Sequence, residues 1–286
     1  MSLTGRLDSR AGRAFLRDRV CVPKVERAPQ RIERRTAQPS RMGAALDYAI
    51  RFRMWKEGHA DLRPLVAWSG LDADGAHPHR CPLAIRSLRR VYRRSVEALE
   101  TNTLVELSDA AAEACMRLAE LDIIHRAGLK KFRFHPTGPD EWAELQALWS
   151  IVPWDEFIGF RWTVLNPTFG AGSRLVGGAD ADLLVDDVLV DFKCSVRPGL
   201  AIRDVRQVVG YAVLANRFGV DGLDPAAFAD WPGDQPVTHL GLYLARAGVL
   251  HVFPLNEAIS PFHQRELLEF LVGRRVALAI AGDSSS

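Results

Sequence analysis

Three charged side chains, Asp182, Asp191 and Lys193, have types and a spacing that suit metal-assisted hydrolysis. Two carboxylates directly opposite each other on paired strands lie about 5 Å apart and repel. A divalent cation that takes oxygen ligands, such as Mg²⁺ or Mn²⁺, removes that repulsion. Lys193 can hold an attacking water or a developing negative charge. Together these groups can polarise a phosphodiester and activate a water.

A β-hairpin over residues 177–195 would place these side chains together. Asp186-Asp187 is a good two-residue turn between two apolar runs. Because side chains alternate along a strand, one face of the hairpin is polar and the other apolar. The polar face holds Asp180, Asp182, Asp191 and Lys193, with Leu184 and Leu189 beyond them; the apolar face holds Ala181, Leu183, Val185, Val188, Val190 and Phe192. The alternative interpretation is a solvent-exposed hairpin with ordinary surface charges.

The hairpin resembles the PD-(D/E)XK nuclease superfamily, in which an Asp on one strand is followed by (Asp/Glu)-x-Lys on the next. Asp182 matches the first Asp because it precedes an apolar run, and Asp191-Phe192-Lys193 matches the second motif. Asp180 is the alternative for the first position. The resemblance implies a Mg²⁺ or Mn²⁺ ion held by Asp182, Asp191 and the backbone carbonyl of Phe192, with Lys193 positioning the water.

A second motif follows in the segment RDVRQVVGYAVLA, residues 203–215. Gln207 and Tyr211 are four residues apart and therefore share one face of a helix. The pair resembles the QxxxY motif of the RecB-like branch of the superfamily. That resemblance implies that both side chains lie beside the active site and contact DNA or orient the catalytic groups. The alternative is a Gln and a Tyr that meet on a helix rim by chance.

A third metal ligand is expected upstream of the sheet. RecB-like nucleases carry Gly-x-x-x-His or a similar acid on a preceding helix, and Gly43 to Asp47 has this spacing with Asp in place of His. An acid in the first turn of a helix is also favoured by the helix dipole alone, so both interpretations of Asp47 stay open. Glu141, Glu144 and Glu156 are further candidates. An iron–sulfur cluster is not expected, because no cysteine follows Cys194.

Arginine is concentrated in two regions, although the formal net charge of the 286-residue chain is only +2. Residues 1–41 hold eleven Lys and Arg against four Asp and Glu, which predicts a basic, mobile arm. Residues 80–96 hold six arginines and no acid. Because the guanidinium group binds phosphate in a bidentate way, we expect DNA contacts, with RNA not excluded, from Arg86, Arg89, Arg90, Arg93 and Arg174.

Hydrophobic periodicity divides the chain into a helical first half and a sheet-containing second half. The predicted fold is α/β, a restriction-endonuclease-like core with a central mixed β-sheet flanked by helices. After the arm, residues 42–286 form a single domain whose residues 42–160 are mainly helical and whose residues 161–286 contain the catalytic sheet. Helices are predicted at 43–58, 84–101, 107–127, after Pro139, at 202–218 and at 261–280; strand composition marks 173–193, and a hairpin with its turn at 246–248 spans 237–254.

Composition and motif together predict a cytoplasmic, Mg²⁺-dependent deoxyribonuclease. No apolar run approaches the roughly 20 residues needed to span a bilayer, and the four cysteines are scattered. Endonuclease and exonuclease action are not distinguished, and nucleases of this kind act in DNA repair, mobile-element maintenance and phage defence. The alternative is a non-cleaving nucleic-acid-binding or scaffold protein on the same fold.

Overall fold

A mixed sheet of five strands forms the centre of the protein in a computed structural model. The structure describes residues 2–35, 38–62, 82–127, 137–197, 199–223 and 235–273, together with residues 65, 67, 71 and 135. The strands are β1 (Thr163–Leu165), β2 (Leu183–Val185), β3 (Val188–Lys193), β4 (His239–Leu244) and β5 (Val249–Pro254). They lie side by side in that order, and every neighbouring pair is antiparallel except β3 and β4, which are parallel. The fold is therefore α/β, as expected.

The predicted hairpin has the expected register within its ladder. Val185 pairs with Val188 and Leu183 pairs with Val190 across the turn at Asp186-Asp187. The ladder is shorter than expected because β2 begins only at Leu183. Asp180 consequently forms an isolated bridge with Thr168 instead of facing Lys193. Strict alternation also fails before Leu183, so Ala181 packs on the opposite side of the sheet from Leu183.

Helices occupy most of the predicted positions. Their bounds are α1 (Leu3–Leu7), α2 (Arg10–Leu16), α3 (Pro39–Lys56), α4 (Pro82–Thr101), α5 (Asp109–Ala127), α6 (Pro139–Trp149), α7 (Gly170–Leu175), α8 (Ile202–Phe218), α9 (Leu255–Ala258) and α10 (Pro261–Val272). A capping hydroxyl begins α5, where Ser108 Oγ accepts a hydrogen bond of 3.2 Å from the Ala111 amide. Helix α8 matches its predicted range, 202–218, at both ends. Residues 274–280 of the last predicted helix lie outside the described residues.

Two differences in secondary structure have local causes. Residues 173–175, expected in a strand, belong to α7 and end it before the glycine pair Gly177-Gly178. The N-terminal segment, expected as a mobile arm, contains α1 and α2 instead. Leu3 and Leu7 are four residues apart, share one helix face and are buried, with exposed fractions of 0 % and 2 %. Their apolar spacing was obscured by the surrounding arginines.

Each face of the sheet covers a separate apolar core. On one face, residues of β2, β3 and β4 pack against α3, α5 and α6, and Phe192 stacks on Phe157 with ring centroids 5.4 Å apart. On the other face, Leu184, Leu189 and Leu240 pack against α8, which connects β3 to β4, and against α1. Asp191 and Lys193 alternate with Phe192 along β3 and therefore point towards the α8 side. The helix that follows β3 thus covers its polar side chains.

No described helix combines the length and the apolar character needed to cross a membrane.

Candidate active site

The end of β3 and the first half of α8 bring four predicted site residues into contact. Lys193 Nζ donates a hydrogen bond of 3.0 Å to Gln207 Oε1. The Gln207 amide group, Nε2, donates to the hydroxyl oxygen of Tyr211 at 2.8 Å and to Oδ1 of Asp191 at 3.4 Å. Gln207 therefore joins Asp191, Lys193 and Tyr211 into one hydrogen-bonded group.

Asp191 is almost completely buried, with only 4 % of its surface exposed. Its Oδ2 forms an ion pair with Lys193 Nζ. Burial raises the pKa of Asp191 to about 7; Lys193 opposes this rise and the charge of Asp182 adds to it. A carboxylate in this position is costly to ionise without a further positive charge nearby. The alternative of a solvent-exposed hairpin with ordinary surface acids is therefore wrong for Asp191.

Asp182 lies one residue before the β2–β3 ladder. Its Oδ2 accepts a hydrogen bond of 2.5 Å from the Phe192 amide. Within the described part of the chain, its Oδ1 has no hydrogen-bond donor. Burial raises the pKa of Asp182, and this hydrogen bond together with the charges of Arg51 and Lys193 opposes the rise. Asp182 thus acts electrostatically on Asp191 and keeps one oxygen open to a ligand.

The backbone of β3 leaves the Phe192 carbonyl on the Asp182 side. The carbonyl of Lys193 accepts a hydrogen bond of 3.0 Å from the Ala245 amide and so faces β4. The Phe192 amide points the other way, at Asp182. Because the N–H and C=O groups of one strand residue point to the same side, the Phe192 carbonyl shares that side. Its role as a metal ligand, which the resemblance implies, stays a prediction.

Tyr211 is held as a neutral hydroxyl. Burial raises its pKa, and the charges of Asp191, Asp180 and Asp182 raise it further. Its ring lies 5.8 Å from that of Phe169, in the core beneath α8. The phenol therefore serves as a fixed hydrogen-bonding group for Gln207.

Asp204, in the first turn of α8, belongs to the same group and was not predicted from the sequence. It is 7 % exposed, and its Oδ1 lies 3.9 Å from Lys193 Nζ. Burial lowers the pKa of Lys193, but Asp191, Asp204 and Asp182 more than offset this effect, so that the pKa is raised. The signal was available, because residues 204, 207 and 211 fall on one helix face.

Asp47 is close enough to the site to be influenced by Asp182, but its carboxylate is already paired. Arg51 Nε donates to Asp47 Oδ1 at 2.8 Å, and Arg51 Nη2 contacts Asp47 Oδ2. Burial raises the pKa of Asp47 to about 7; Arg51 opposes the rise and Asp182 adds to it. Arg51, which is 6 % exposed, and its second partner Asn166 were also missed. The i,i+4 spacing of Asp47 and Arg51 was the available signal.

Gly43, the glycine of the predicted Gly-x-x-x-Asp motif, allows α3 to approach β3. A Cβ atom at position 43 would lie 3.3 Å from the Cβ atom of Cys194, tighter than ordinary packing. The glycine therefore sets the distance between the helix that carries Asp47 and the strand that carries Lys193.

Two of the other upstream acids have structural partners. Glu141 pairs with Arg41. Glu144 pairs with the buried guanidinium of Arg246 and accepts a hydrogen bond of 2.7 Å from the Arg35 amide. Glu156 is exposed, in a 3₁₀ turn after α6. The contacts of Glu141 and Glu144 explain these acids as parts of the packing between α6 and its neighbours.

The acids beside β3 fit a divalent cation in charge, although their oxygens are not arranged as a ready site. The positive charges that act on Asp47, Asp182 and Asp191 come from Arg51 and Lys193, and burial makes the three carboxylates costly to ionise. Among the described residues, no group of three or more His, Cys, Asp or Glu side chains is positioned to hold a metal ion. The open Oδ1 of Asp182 and the neighbouring Asp191 are the donors that fit.

The predicted DNA-contacting arginines differ in their surroundings. Arg86, Arg90 and Arg93 are exposed on α4, and Arg174 is exposed on α7. Arg89 is half-buried and donates two hydrogen bonds, of 3.2 and 2.9 Å, to the Leu71 carbonyl. Arg89 therefore has a structural role that its place in the arginine cluster did not reveal.

Arginines of the N-terminal segment are partly engaged as well. Arg6 donates to the carbonyls of Leu271 and Leu175 at 2.7 and 3.0 Å, and Arg19 pairs with Glu266 at 3.0 Å. These contacts attach α1 and the segment that follows α2 to α7 and α10.

Comparisons of the chain with protein-family models, with curated proteins and with solved structures find no match.

Proposed function

We propose that the protein is a metal-dependent nuclease that hydrolyses phosphodiester bonds of DNA through a RecB-like PD-(D/E)XK site. The observation that carries this proposal is the hydrogen-bonded group formed by Asp191, Lys193, Gln207 and Tyr211. Two separate sequence motifs, one on a strand and one on the following helix, supply these residues. Unrelated surface residues have no reason to converge on one lysine, with Asp191 and Tyr211 buried.

Each side chain has a defined task in this proposal. Asp182, Asp191 and the Phe192 carbonyl hold the divalent ion. Lys193 holds the attacking water or stabilises the negative charge that develops on the phosphate. Gln207 orients Lys193 and Asp191 at once through its two ends, and Tyr211 fixes the amide of Gln207. Mg²⁺ or Mn²⁺ would supply the polarisation of the phosphodiester and the activation of a water.

Substrate binding is assigned to arginines outside this group. The exposed guanidinium groups of Arg86, Arg90 and Arg93 follow one another at the i, i+4 and i+7 positions of α4 and so share one side of the helix. A row of guanidinium groups binds a phosphate backbone without regard to sequence. Arg174 on α7 is a further candidate. DNA is the proposed substrate and RNA the alternative polymer.

One observation favours a second candidate, a non-cleaving nucleic-acid-binding or scaffold protein on the same fold. The carboxylates of Asp47 and Asp191 are paired with Arg51 and Lys193, so the described site is held together without any metal. A binding module retains affinity for nucleic acid but forms no product in the presence of Mg²⁺ or Mn²⁺.

The deciding experiment is a cleavage assay with purified full-length protein. Linear, circular and single-stranded DNA, together with single-stranded RNA, are incubated with Mg²⁺, with Mn²⁺ and with EDTA. We expect metal-dependent loss of at least one DNA substrate. Cleavage of the circle indicates endonuclease action, whereas cleavage restricted to the linear forms indicates exonuclease action.

The Lys193→Ala variant is the matched control. Its circular dichroism spectrum and DNA affinity should equal those of the wild type, while its cleavage rate falls to background. Binding without cleavage in the wild type would establish the second candidate. Equal cleavage by wild type and Lys193→Ala would show that a contaminating nuclease produces the activity.

A further inference from the structure

Arg51 binds Asp47, the residue that the sequence motif suggests as a third ligand of the metal ion. Its Nε and Nη2 bind the two oxygens of Asp47, in the paired arrangement that guanidinium and carboxylate groups favour. Arg51 Nη2 also donates to Asn166 Oδ1 at 3.0 Å. Both oxygens of Asp47 are therefore already held by one side chain.

The surroundings of Arg51 fix it in place. Its side chain is buried, and its charged group lies 5.8 Å from the ring centre of Tyr48. Asn166 is itself held, since its amide donates a hydrogen bond of 3.0 Å to the Asp182 carbonyl. A guanidinium group does not lose its proton in proteins. A metal ion that took Asp47 would therefore leave a buried, permanently charged group without its partner, which is strongly unfavourable.

Lys193, the cation beside Asp191, is held less tightly than Arg51. Its ammonium contacts Asp191 and Gln207 and has a second carboxylate, Asp204, 3.9 Å away. A flexible four-carbon chain carries this charge. Lys193 can therefore keep a counter-ion in Asp204 while Asp191 turns to a metal. Asp182 adds an oxygen, Oδ1, that no described group donates to.

The formal charges around Arg51 and Lys193 also favour a bound cation. Four aspartates act on the two cations: Asp47 and Asp182 on Arg51, and Asp191, Asp204 and Asp182 on Lys193. Acidic side chains therefore outnumber the cations that they surround, which favours the binding of a divalent ion.

We propose that Arg51 is a built-in cation that occupies Asp47, so that the site binds one divalent ion, between Asp182 and Asp191, and no ion at Asp47. This inference rests on the proposed metal-dependent function. Asp47 then serves to hold Arg51 and is not itself a metal ligand. The guanidinium provides, next to the single metal, a positive charge that does not depend on the metal concentration.

The test is to count Mn²⁺ ions bound by the full chain. Isothermal titration calorimetry at pH 8 gives the stoichiometry, and electron paramagnetic resonance of free Mn²⁺ gives an independent count. We expect one ion per chain in the wild type and loss of that ion in Asp182→Asn. Two ions per wild-type chain, or one ion that Asp182→Asn binds with unchanged affinity, would overturn the inference.

A charge-removing variant tests the role of Arg51 directly. Arg51→Gln frees Asp47, and we expect a second, weaker Mn²⁺ site in the folded variant. The matched control is Arg53→Gln on the same helix, whose side chain pairs with Glu57 and lies over Trp154; it should still bind one ion. A folded Arg51→Gln protein that binds a single ion would contradict the proposal. If this variant does not fold, the wild-type count decides.

The outcomes also separate this inference from the proposed function. Metal-dependent cleavage with two bound ions removes the role given to Arg51 and leaves the nuclease in place. A wild-type chain that binds no Mn²⁺ and cleaves nothing removes both.

Discussion

Lys193, at the end of β3, and Gln207, in the second turn of α8, are joined by a hydrogen bond of 3.0 Å. The strand and the helix that follows it are thereby connected through their functional side chains. Gln207 passes the connection on to Tyr211 and to Asp191. Disturbing any member of this group is therefore expected to change the others.

Removal of the Lys193 ammonium should abolish cleavage and leave the fold intact. A group that stabilises developing charge or transfers a proton contributes about 10²- to 10⁴-fold to a rate. We expect Lys193→Ala and Asp191→Ala to lose at least that factor in kcat for Mg²⁺-dependent DNA cleavage. Lys24→Ala, at an exposed lysine, is the control and should cleave at the wild-type rate. Unchanged cleavage in both site variants would rule out the assignment.

Replacement of Gln207 by Leu should lower kcat more than it changes KM. The leucine fills a similar volume but neither accepts from Lys193 nor donates to Asp191, so both groups lose their orientation. We expect a loss of about 10- to 100-fold, by analogy with groups that orient catalytic or metal-binding side chains. Steady-state kinetics measure it, with Gln235→Leu at an exposed position as control. A pure rise in KM would instead indicate that Gln207 contacts DNA.

Cleavage should depend on pH through Asp191. Burial raises its pKa to about 7, so its carboxyl gains a proton as the pH falls through 7. Protons and metal ions compete for such a ligand. At low Mg²⁺ concentration we expect the rate to fall with a midpoint near pH 7, and a higher Mg²⁺ concentration should move that midpoint to lower pH. A midpoint that does not respond to Mg²⁺ would contradict a role for Asp191 as ligand.

The same raised pKa has an effect on stability in metal-free protein. The unfolded chain releases the Asp191 proton near its ordinary pKa of about 4, whereas the folded state keeps it until about pH 7. The folded state therefore binds more protons between these values, and its stability falls as pH rises through that window. Urea unfolding at pH 5 and pH 8 measures this effect. Asp191→Asn should reduce the difference between the two pH values, and an undiminished difference would assign it to other groups.

Helix α1 should stabilise α8, the helix that carries Gln207 and Tyr211. Leu3 and Leu7 pack on Gly210 of α8, where an added Cβ atom would lie 3.0 Å from Leu7 Cδ1. Truncation of a buried leucine typically costs about 2–5 kcal/mol. We expect Leu7→Ala to lower the free energy of unfolding by that amount in urea titrations. Leu175→Ala, at a 37 % exposed position, is the control and should lower the free energy of unfolding much less. If Leu7→Ala lowers the free energy of unfolding no more than this control does, α1 does not stabilise α8.

The exposed arginines of α4 should contribute to DNA affinity in a salt-dependent way. Each phosphate contact that is lost reduces the slope of log affinity against log salt by about one. We expect Arg90→Ala and Arg93→Ala to bind more weakly with a smaller slope. Arg89→Ala, whose side chain is bonded to the Leu71 carbonyl, should leave the slope unchanged. Fluorescence anisotropy between low and moderate salt measures all three, and identical slopes would remove α4 from the DNA-binding surface.

The site was predictable where local patterns decide the structure. The turn at Asp186-Asp187 and the alternation on either side determine which residues of β2 and β3 pair. The 3.6-residue period likewise predicted α8 from 202 to 218 and placed Gln207 and Tyr211 on one face. In both cases the interacting residues are neighbours along the chain, so spacing alone indicates which side chains meet.

Contacts between distant segments were not predictable in the same way. Two contacts join parts of the chain that are more than a hundred residues apart. Buried Arg51 donates a hydrogen bond to Asn166, and Leu7 packs on Gly210. Arg89 shows the same limit, because it lies in the same arginine cluster as its exposed neighbours but the Leu71 carbonyl holds it. Residue types and hydrophobic periodicity do not indicate such tertiary contacts. Asp47 was therefore proposed as a metal ligand, and its pairing with Arg51 was not predicted.

The close approach of Gly43 to Cys194 has a consequence for how this sequence can diverge. Only 3.3 Å separates the Cys194 Cβ atom from the place where a side chain at position 43 would begin. The two positions therefore share one fixed volume. Because the crowded atom of Cys194 is its Cβ, a larger residue at 43 requires glycine at 194 or a small shift of α3, and related chains should show positions 43 and 194 varying together. A change at only one of the two positions would otherwise push α3, with Asp47 and Arg51, away from β3.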